Sequence, residues 1–251
     1  MKIVCDGGFD FPSPIAVSIG NFDGLHTGHL RVLEVLRRVG EEAGQPPAVM
    51  SFYPHPLKIL GSAGYKTLLT REEKTELLAA SGIDFYIEYP FDRETAQMTP
   101  WDFVRKVLRG KLNTGNVVVG EGWRFGAGAS GNVTDLRKIG AECGITVTAV
   151  AHNGVEGLND KISSSIIKGL LQKKDFTAVT EYLTREYFIT IIKGKINPEK
   201  ILPPDGGYAV KITAGGTTYM GKAHVRSGGI RLEPDLSLHE DARVAFIKPL
   251  C

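Results

Sequence analysis

An apolar run, Ile15-Ala-Val-Ser-Ile19, passes directly into Gly20-Asn-Phe-Asp-Gly-Leu-His-Thr-Gly-His29 and then into Leu30-Arg-Val-Leu-Glu-Val-Leu-Arg-Arg38. The first stretch predicts a buried strand, and the apolar spacing of the last predicts an amphipathic helix. Gly20 and Gly24 supply the turn between them. His26 and His29 then stand at the start of a helix, where unpaired N–H groups and partial positive charge attract phosphate. Gly28 removes a side chain where a triphosphate needs close approach to backbone. A pair of capping or partly buried histidines is the plainer reading, but strand, turn and helix in immediate succession favour a nucleotide site.

The same alternation continues to about residue 150. Strands are expected over 15–19, 48–52, 85–88, 117–119 and 145–150, with helices over 30–39, 71–80, 100–108 and 133–141. Thr99 followed by Pro100 predicts a helix cap with proline at the first helical position. This pattern implies an α/β chain with a Rossmann-like, doubly wound parallel sheet covered on both faces. Ligands of such sheets bind beyond the carboxyl ends of the strands, and 20–29, 51–56 and 120–131 all fall at such ends. From about Tyr187 the pattern changes. Strands are expected over 188–193, 208–213, 217–220 and 244–247, separated by Pro203-Pro-Asp-Gly-Gly207 and Ala214-Gly-Gly216, which predicts a small antiparallel β domain.

Bulk properties narrow the function. A hydrophobic content of 42% with 23% charged residues suits a globular protein, and a net charge of +2 gives no electrostatic case for nucleic acid or an anionic membrane surface. No apolar run approaches a membrane span, and the N-terminus lacks a secretory pattern. Cys5, Cys143 and Cys251 are odd in number and widely spaced, as expected of reduced thiols in the cytoplasm rather than of a disulfide set or a zinc site. His152, His224 and His239 are read as packing or surface residues.

The segment Gly20–His29 resembles the first motif of the His-x-Gly-His nucleotidylyltransferases, and within them the bacterial FAD synthetases, which usually combine riboflavin kinase and FMN adenylyltransferase. Phe52-Tyr-Pro-His-Pro56 is similar to the family's Phe-x-Pro-His-Pro, Leu69-Thr-Arg-Glu-Glu-Lys74 to its Leu-Thr-x-x-x-Lys, Val117-Val-Val-Gly120 with Arg124-Phe-Gly126 to its Gly-x-x-Phe-Arg-Phe-Gly, and Ile162-Ser-Ser-Ser165 to its Ile-Ser-Ser-Thr. The resemblance spans about residues 1–190. It implies a nucleotidylyltransferase domain over 1–186 and a small β domain over 187–251 that resembles a truncated riboflavin kinase barrel.

The implied reaction transfers AMP from ATP to FMN, giving FAD and pyrophosphate, with Mg²⁺ arriving on ATP and no metal held by protein ligands. His26 and His29 take the catalytic roles, donating to the transferring phosphate. ATP is implied to meet Gly20, Asn21, Phe22, Asp23, Gly24 and Gly28, and at a second phosphate element Ser163, Ser164, Ser165 and Lys168. Asp23 either contacts nucleotide or braces the turn. FMN is implied to lie against Phe52, Pro54, His55, Pro56, Gly120, Trp123, Arg124, Phe125 and Asn132, where aromatic rings and an arginine suit an isoalloxazine and its phosphate tail. His55 either lines that pocket or locks a strand end. The chain departs from the family pattern at Gly122, where Asp or Asn is common, at Asn132 for Asp, at Ser165 for Thr and at Lys168 for Arg.

In the tail, the family's kinase motif Gly-x-Pro-Thr-Ala-Asn has no counterpart, since no Pro-Thr dipeptide occurs in the sequence. Leu202-Pro-Pro-Asp-Gly-Gly-Tyr-Ala-Val210 and Tyr219-Met-Gly-Lys-Ala-His224 resemble pieces of the kinase barrel, so riboflavin phosphorylation is expected to be absent. Two alternatives stay open: the same fold with another phosphorylated acceptor, and a flavin or nucleotide sensor of weak catalytic power. The oligomeric state is not legible.

Overall fold

The computed structural model describes residues 1–5, 8–61, 64–151, 162–234 and 241–250, so His152, His239 and Cys251 lie outside the described residues. The chain divides into two compact units: 1–22, 28–65 and 75–161 in the first, and 23–27, 66–74 and 162–251 in the second. Both are built on six-stranded sheets.

The order of elements is β1 (Lys2–Val4), β2 (Ile15–Ile19), α1 (Thr27–Ala43), β3 (Pro47–Tyr53), α2 (Pro56–Ile59), α3 (Arg71–Ala80), β4 (Phe85–Pro90), α4 (Arg93–Gln97) and α5 (Pro100–Asp102). A wider helical stretch follows (Phe103–Lys111), then β5 (Thr114–Gly120), α6 (Val133–Glu142) and β6 (Thr146–Val150). These six strands form a wholly parallel sheet in the order β1-β4-β3-β2-β5-β6. All five residues of β2 are buried, as a central strand covered on both faces requires. In α1, Val32, Leu33, Val35 and Leu36 form the buried stripe. Leu36 is fully buried, so truncating it to alanine costs about 2–5 kcal/mol.

Thr99 caps α5 as its sequence predicts, its side-chain oxygen accepting the Asp102 N–H at 3.1 Å. Beyond it the chain departs from the expected α-helix. The turns over Phe103–Lys111 widen to i→i+5 bonding, which continues as Leu112 N–H reaches Val107 O at 2.9 Å. Phe103, Val104, Val107 and Leu108 are buried on that stretch.

The second unit carries α7 (Ser164–Gln172), α8 (Phe176–Leu183), β7 (Tyr187–Ile192), β8 (Lys195–Ile196), β9 (Gly206–Ala214), β10 (Thr217–Arg226), β11 (Gly229–Glu233) and β12 (Ala242–Pro249). Its sheet is antiparallel throughout, ordered β11-β10-β9-β12-β7-β8. In β9 the alternate residues Tyr208, Val210, Ile212 and Ala214 are buried, the period-two pattern of a sheet with one covered face. Phe246 is fully buried among the rings of Phe176, Tyr187 and Tyr208, at centroid distances of 5.4–6.3 Å.

Candidate functional site

In the parallel sheet the chain winds one way from β2 to β3 and β4 and the other way to β5 and β6, so the switch point lies between β2 and β5. Open α/β sheets bind ligands beyond the carboxyl ends of the strands at such a point. Gly20 follows β2 directly and Gly120 ends β5. Gly20 is tied to β3 on both sides of its residue: its N–H donates to Met50 O at 3.0 Å, and its carbonyl accepts the Ser51 hydroxyl at 2.7 Å. Asn21 is exposed and Phe22 is buried, with its ring centroid 5.0 Å from that of His29. The helix α1 begins at Thr27, so His26 immediately precedes it while Gly28 and His29 lie in its first turn. His26 is buried and His29 half-buried.

The turn that delivers these histidines is strained. Phe22 (φ +49°), Gly24 (φ +89°) and Leu25 (φ +42°) all adopt left-handed backbone, costing a non-glycine residue about 1–2 kcal/mol. A side chain at Gly24 would also meet Leu68 Cδ1 at 2.9 Å. Within the second unit, polar contacts hold residues 23–25 in place. Asp23 Oδ1 accepts the N–H groups of Leu68 (2.7 Å) and Leu69 (3.2 Å), and its Oδ2 pairs with Lys168 Nζ at 2.9 Å. The Asp23 carbonyl accepts the Ser164 hydroxyl at 2.6 Å. The Arg185 guanidinium donates to Gly24 O and Leu25 O.

The segment 163–168, expected to bind phosphate, therefore meets the turn at Asp23. Ser163 caps α7, accepting the Ile166 N–H at 3.3 Å, and Ser165 is exposed on its first turn. Lys168 also donates to Lys66 O at 2.7 Å. Among the described residues, no group of three or more His, Cys, Asp or Glu side chains is placed to hold a metal ion.

A buried ionic network that the sequence reading missed lies beside this turn. Lys200 and Glu73 pair with side chains 0% and 2% exposed. Lys200 Nζ donates to Leu68 O at 2.6 Å, and Glu73 accepts the Thr190 hydroxyl at 2.9 Å and the Thr70 N–H at 2.9 Å. Burial lowers the Lys200 ammonium to about 8, against the pull of the Glu73 carboxylate. It raises Tyr187, whose ring lies 4.9 Å from Lys200 Nζ, well above its ordinary value. Thr70-x-x-Glu73 is a capping-box spacing and was legible as such. Lys200 sits in a proline-rich loop with no local signal for burial.

The residues assigned to flavin lie in the first unit. Phe52 packs on Tyr89, Phe91 and Phe103 at centroid distances of 6.2, 5.2 and 6.1 Å. Phe103 meets Phe125 at 6.0 Å, and Phe125 stacks on Trp123 at 4.8 Å. Phe103, absent from the expected set, thus joins the Phe52–Pro56 segment to the 120–131 loop. His55 caps α2: Nδ1 accepts the Leu57 N–H at 3.2 Å, so Nε2 carries the proton toward Tyr65 Oη at 3.2 Å. Its ring also stacks on Tyr65 at 4.3 Å. Pro56 opens α2, and Pro54 is half-buried beside it. Gly120 O accepts the Trp123 N–H at 2.9 Å, and Arg124 Nε donates to Ala129 O at 3.0 Å. Asn132 Oδ1 accepts the N–H groups of Thr134 (2.7 Å) and Asp135 (3.1 Å), while Asp135 accepts the Asn132 N–H at 3.0 Å, a complete capping box for α6.

Residues 10–166 match the FAD synthetase family model. The chain belongs to the FAD synthetase family. Its relatives include a bifunctional riboflavin kinase/FMN adenylyltransferase of Escherichia coli strain K12, 33% identical over 69% of this chain and 55% of the relative. The chain thus spans little more than half the length of that relative. A FAD synthetase of Listeria monocytogenes is 34% identical over 76% of this chain and 79% of its own. The corresponding bifunctional protein of Bacillus subtilis strain 168 is 30% identical over 83% and 71%. The crystal structure of a macrolide-efflux protein from Streptococcus pneumoniae superposes with a TM-score of 0.87 at 19% identity, covering 100% of this chain and 91% of that one. At that identity the likeness speaks for the fold alone.

Proposed function

We propose that this member of the FAD synthetase family is an FMN adenylyltransferase, joining AMP from ATP to FMN with release of pyrophosphate. The observation that carries the reading is the His-x-Gly-His segment opening α1 directly after Gly20, beside the switch point of a parallel sheet. In this reaction an FMN phosphate oxygen attacks the α-phosphorus of ATP while pyrophosphate leaves. Little covalent work falls to the protein, so positioning and charge stabilisation dominate. His26 and His29 donate to the phosphates, aided by the first turn of α1. The exposed Ser165 hydroxyl and the Lys168 ammonium lie at the second phosphate element. Mg²⁺ travels with ATP and offsets phosphate charge. The aromatic run from Phe52 to Trp123 offers faces for the isoalloxazine.

The tail strands retain a kinase-like pattern without the Pro-Thr-bearing segment, so in this reading the chain does not phosphorylate riboflavin. We also place the protein in the cytoplasm; among the described residues, no helix is long and apolar enough to cross a membrane. The test is incubation with Mg-ATP and FMN. FAD and pyrophosphate formed at a rate proportional to enzyme support the reading, and no FAD under conditions where FMN binds would replace it with the sensor alternative.

A further inference from the structure

Arg185 lies between the end of α8 at Leu183 and the start of β7 at Tyr187, so its backbone is fixed at the entrance to the antiparallel sheet. Thr184 ends the helix in left-handed backbone (φ +58°), and Nη1 of Arg185 donates to Leu183 O at 2.9 Å. The same guanidinium reaches the turn before α1, with Nη1 donating to Leu25 O at 3.2 Å and Nη2 to Gly24 O at 2.5 Å. One planar fork thus spans two successive carbonyls and a third on its own side, a geometry that a lysine cannot reproduce. The next residue after Leu25 is His26. Leu25, a non-glycine residue, holds left-handed backbone, which persists only where surrounding contacts over-determine it.

We infer that Arg185 is a positioning residue for the nucleotide motif, clamping the carbonyls of Gly24 and Leu25 so that His26 is held where the phosphate arrives. The segment leading into the antiparallel sheet then has a task in this chain other than riboflavin phosphorylation: its Arg185 holds the motif turn. Burial lowers the Arg185 guanidinium only to about 10, so the clamp keeps its charge at neutral pH. The inference rests on the adenylyl-transfer reading for its effect on turnover, and on the geometry alone for its effect on the turn.

Hydrogen exchange of the full chain separates the two. In Arg185→Gln, amides over 23–30 should exchange about tenfold faster, the loss expected for removal of a charged donor from buried carbonyls. Amides over 47–53 in β3 should be unchanged. With FMN and Mg-ATP, kcat per folded molecule should fall by about tenfold or more while KM for ATP moves less than about threefold; the folded fraction is counted separately by circular dichroism, because loss of folded protein also lowers apparent kcat at constant KM. Arg185→Lys keeps charge and bulk, and should show the same local exchange if Arg185→Gln does not fold. Wild-type exchange over 23–30 in a folded variant overturns the clamp, as does unchanged kcat in an active background. If the wild type makes no FAD, the adenylyl reading fails, and the exchange arm alone decides the clamp.

Discussion

Lys168 and Asp23 form an ion pair of 2.9 Å that joins α7 to the turn preceding α1. The Asp23 side chain is only 7% exposed, and its other oxygen already serves two backbone N–H groups. Lys168 therefore holds the turn, in addition to the triphosphate contact proposed for it.

Lys168→Ala should accordingly do two things at once. It should raise the KM for ATP, and it should cost about 1–3 kcal/mol by leaving a buried carboxylate short of a partner. Lys168→Arg should keep or improve activity, because a guanidinium supplies both the charge and a second donor. Urea unfolding with ATP titrations reads both effects. An alanine variant with unchanged stability and ATP dependence would make Lys168 a bystander.

His29 packs against Phe22 in the first turn of α1, so its removal deletes a donor without unseating the strand. His29→Ala should cut turnover by about 10²-fold or more, the scale for one preorganised donor, with a much smaller loss of nucleotide affinity. Near-normal turnover in a folded His26→Ala/His29→Ala protein would remove the assignment.

Stability should respond to alkaline pH through Lys200 and Tyr187. The folded Lys200 loses its proton near 8, whereas an unfolded lysine keeps it to about 10.4. Over that window the unfolded state binds more protons, so this group makes stability rise with pH, by at most about 1.4 kcal/mol per unit. Tyr187 works the other way above about 10, because the unfolded phenol ionises while the buried one does not. Unfolding free energies of the wild type should therefore climb between about pH 8 and 10 relative to Lys200→Met/Glu73→Met and then level off, while the fall from Tyr187, which both proteins bury, appears in each curve. A constant difference between the two proteins across that range would contradict the buried-lysine account.

Riboflavin supplied with Mg-ATP should yield neither FMN nor FAD, whereas FMN with Mg-ATP should yield FAD. A riboflavin kinase needs groups that hold Mg-nucleotide and orient the 5′-hydroxyl, and the Pro-Thr-bearing segment that supplies them in the family has no counterpart here. Chromatographic detection of FMN from riboflavin, at a rate scaling with enzyme, would overturn this view of the tail.

The sequence by itself determined what local periodicity encodes. The strand at 15–19 and the helix at 71–80 fall where their apolar spacing and caps put them, and His26 to His29 fall at the start of α1. Short elements escaped it. β1 has one buried residue in three and exists by pairing with β4, and β11 offers only Ile230 and Leu232 as an apolar alternation before it pairs with β10. The tertiary structure alone decided which polar groups are spent inside the protein. Nothing near Lys200 in sequence marks it for burial, because a lysine loses its water only where a distant carboxylate and carbonyl replace it. Arg185 is equally silent in sequence: its partners, Gly24 and Leu25, are backbone carbonyls that become available only after a strained turn has left them pointing at the start of the second sheet.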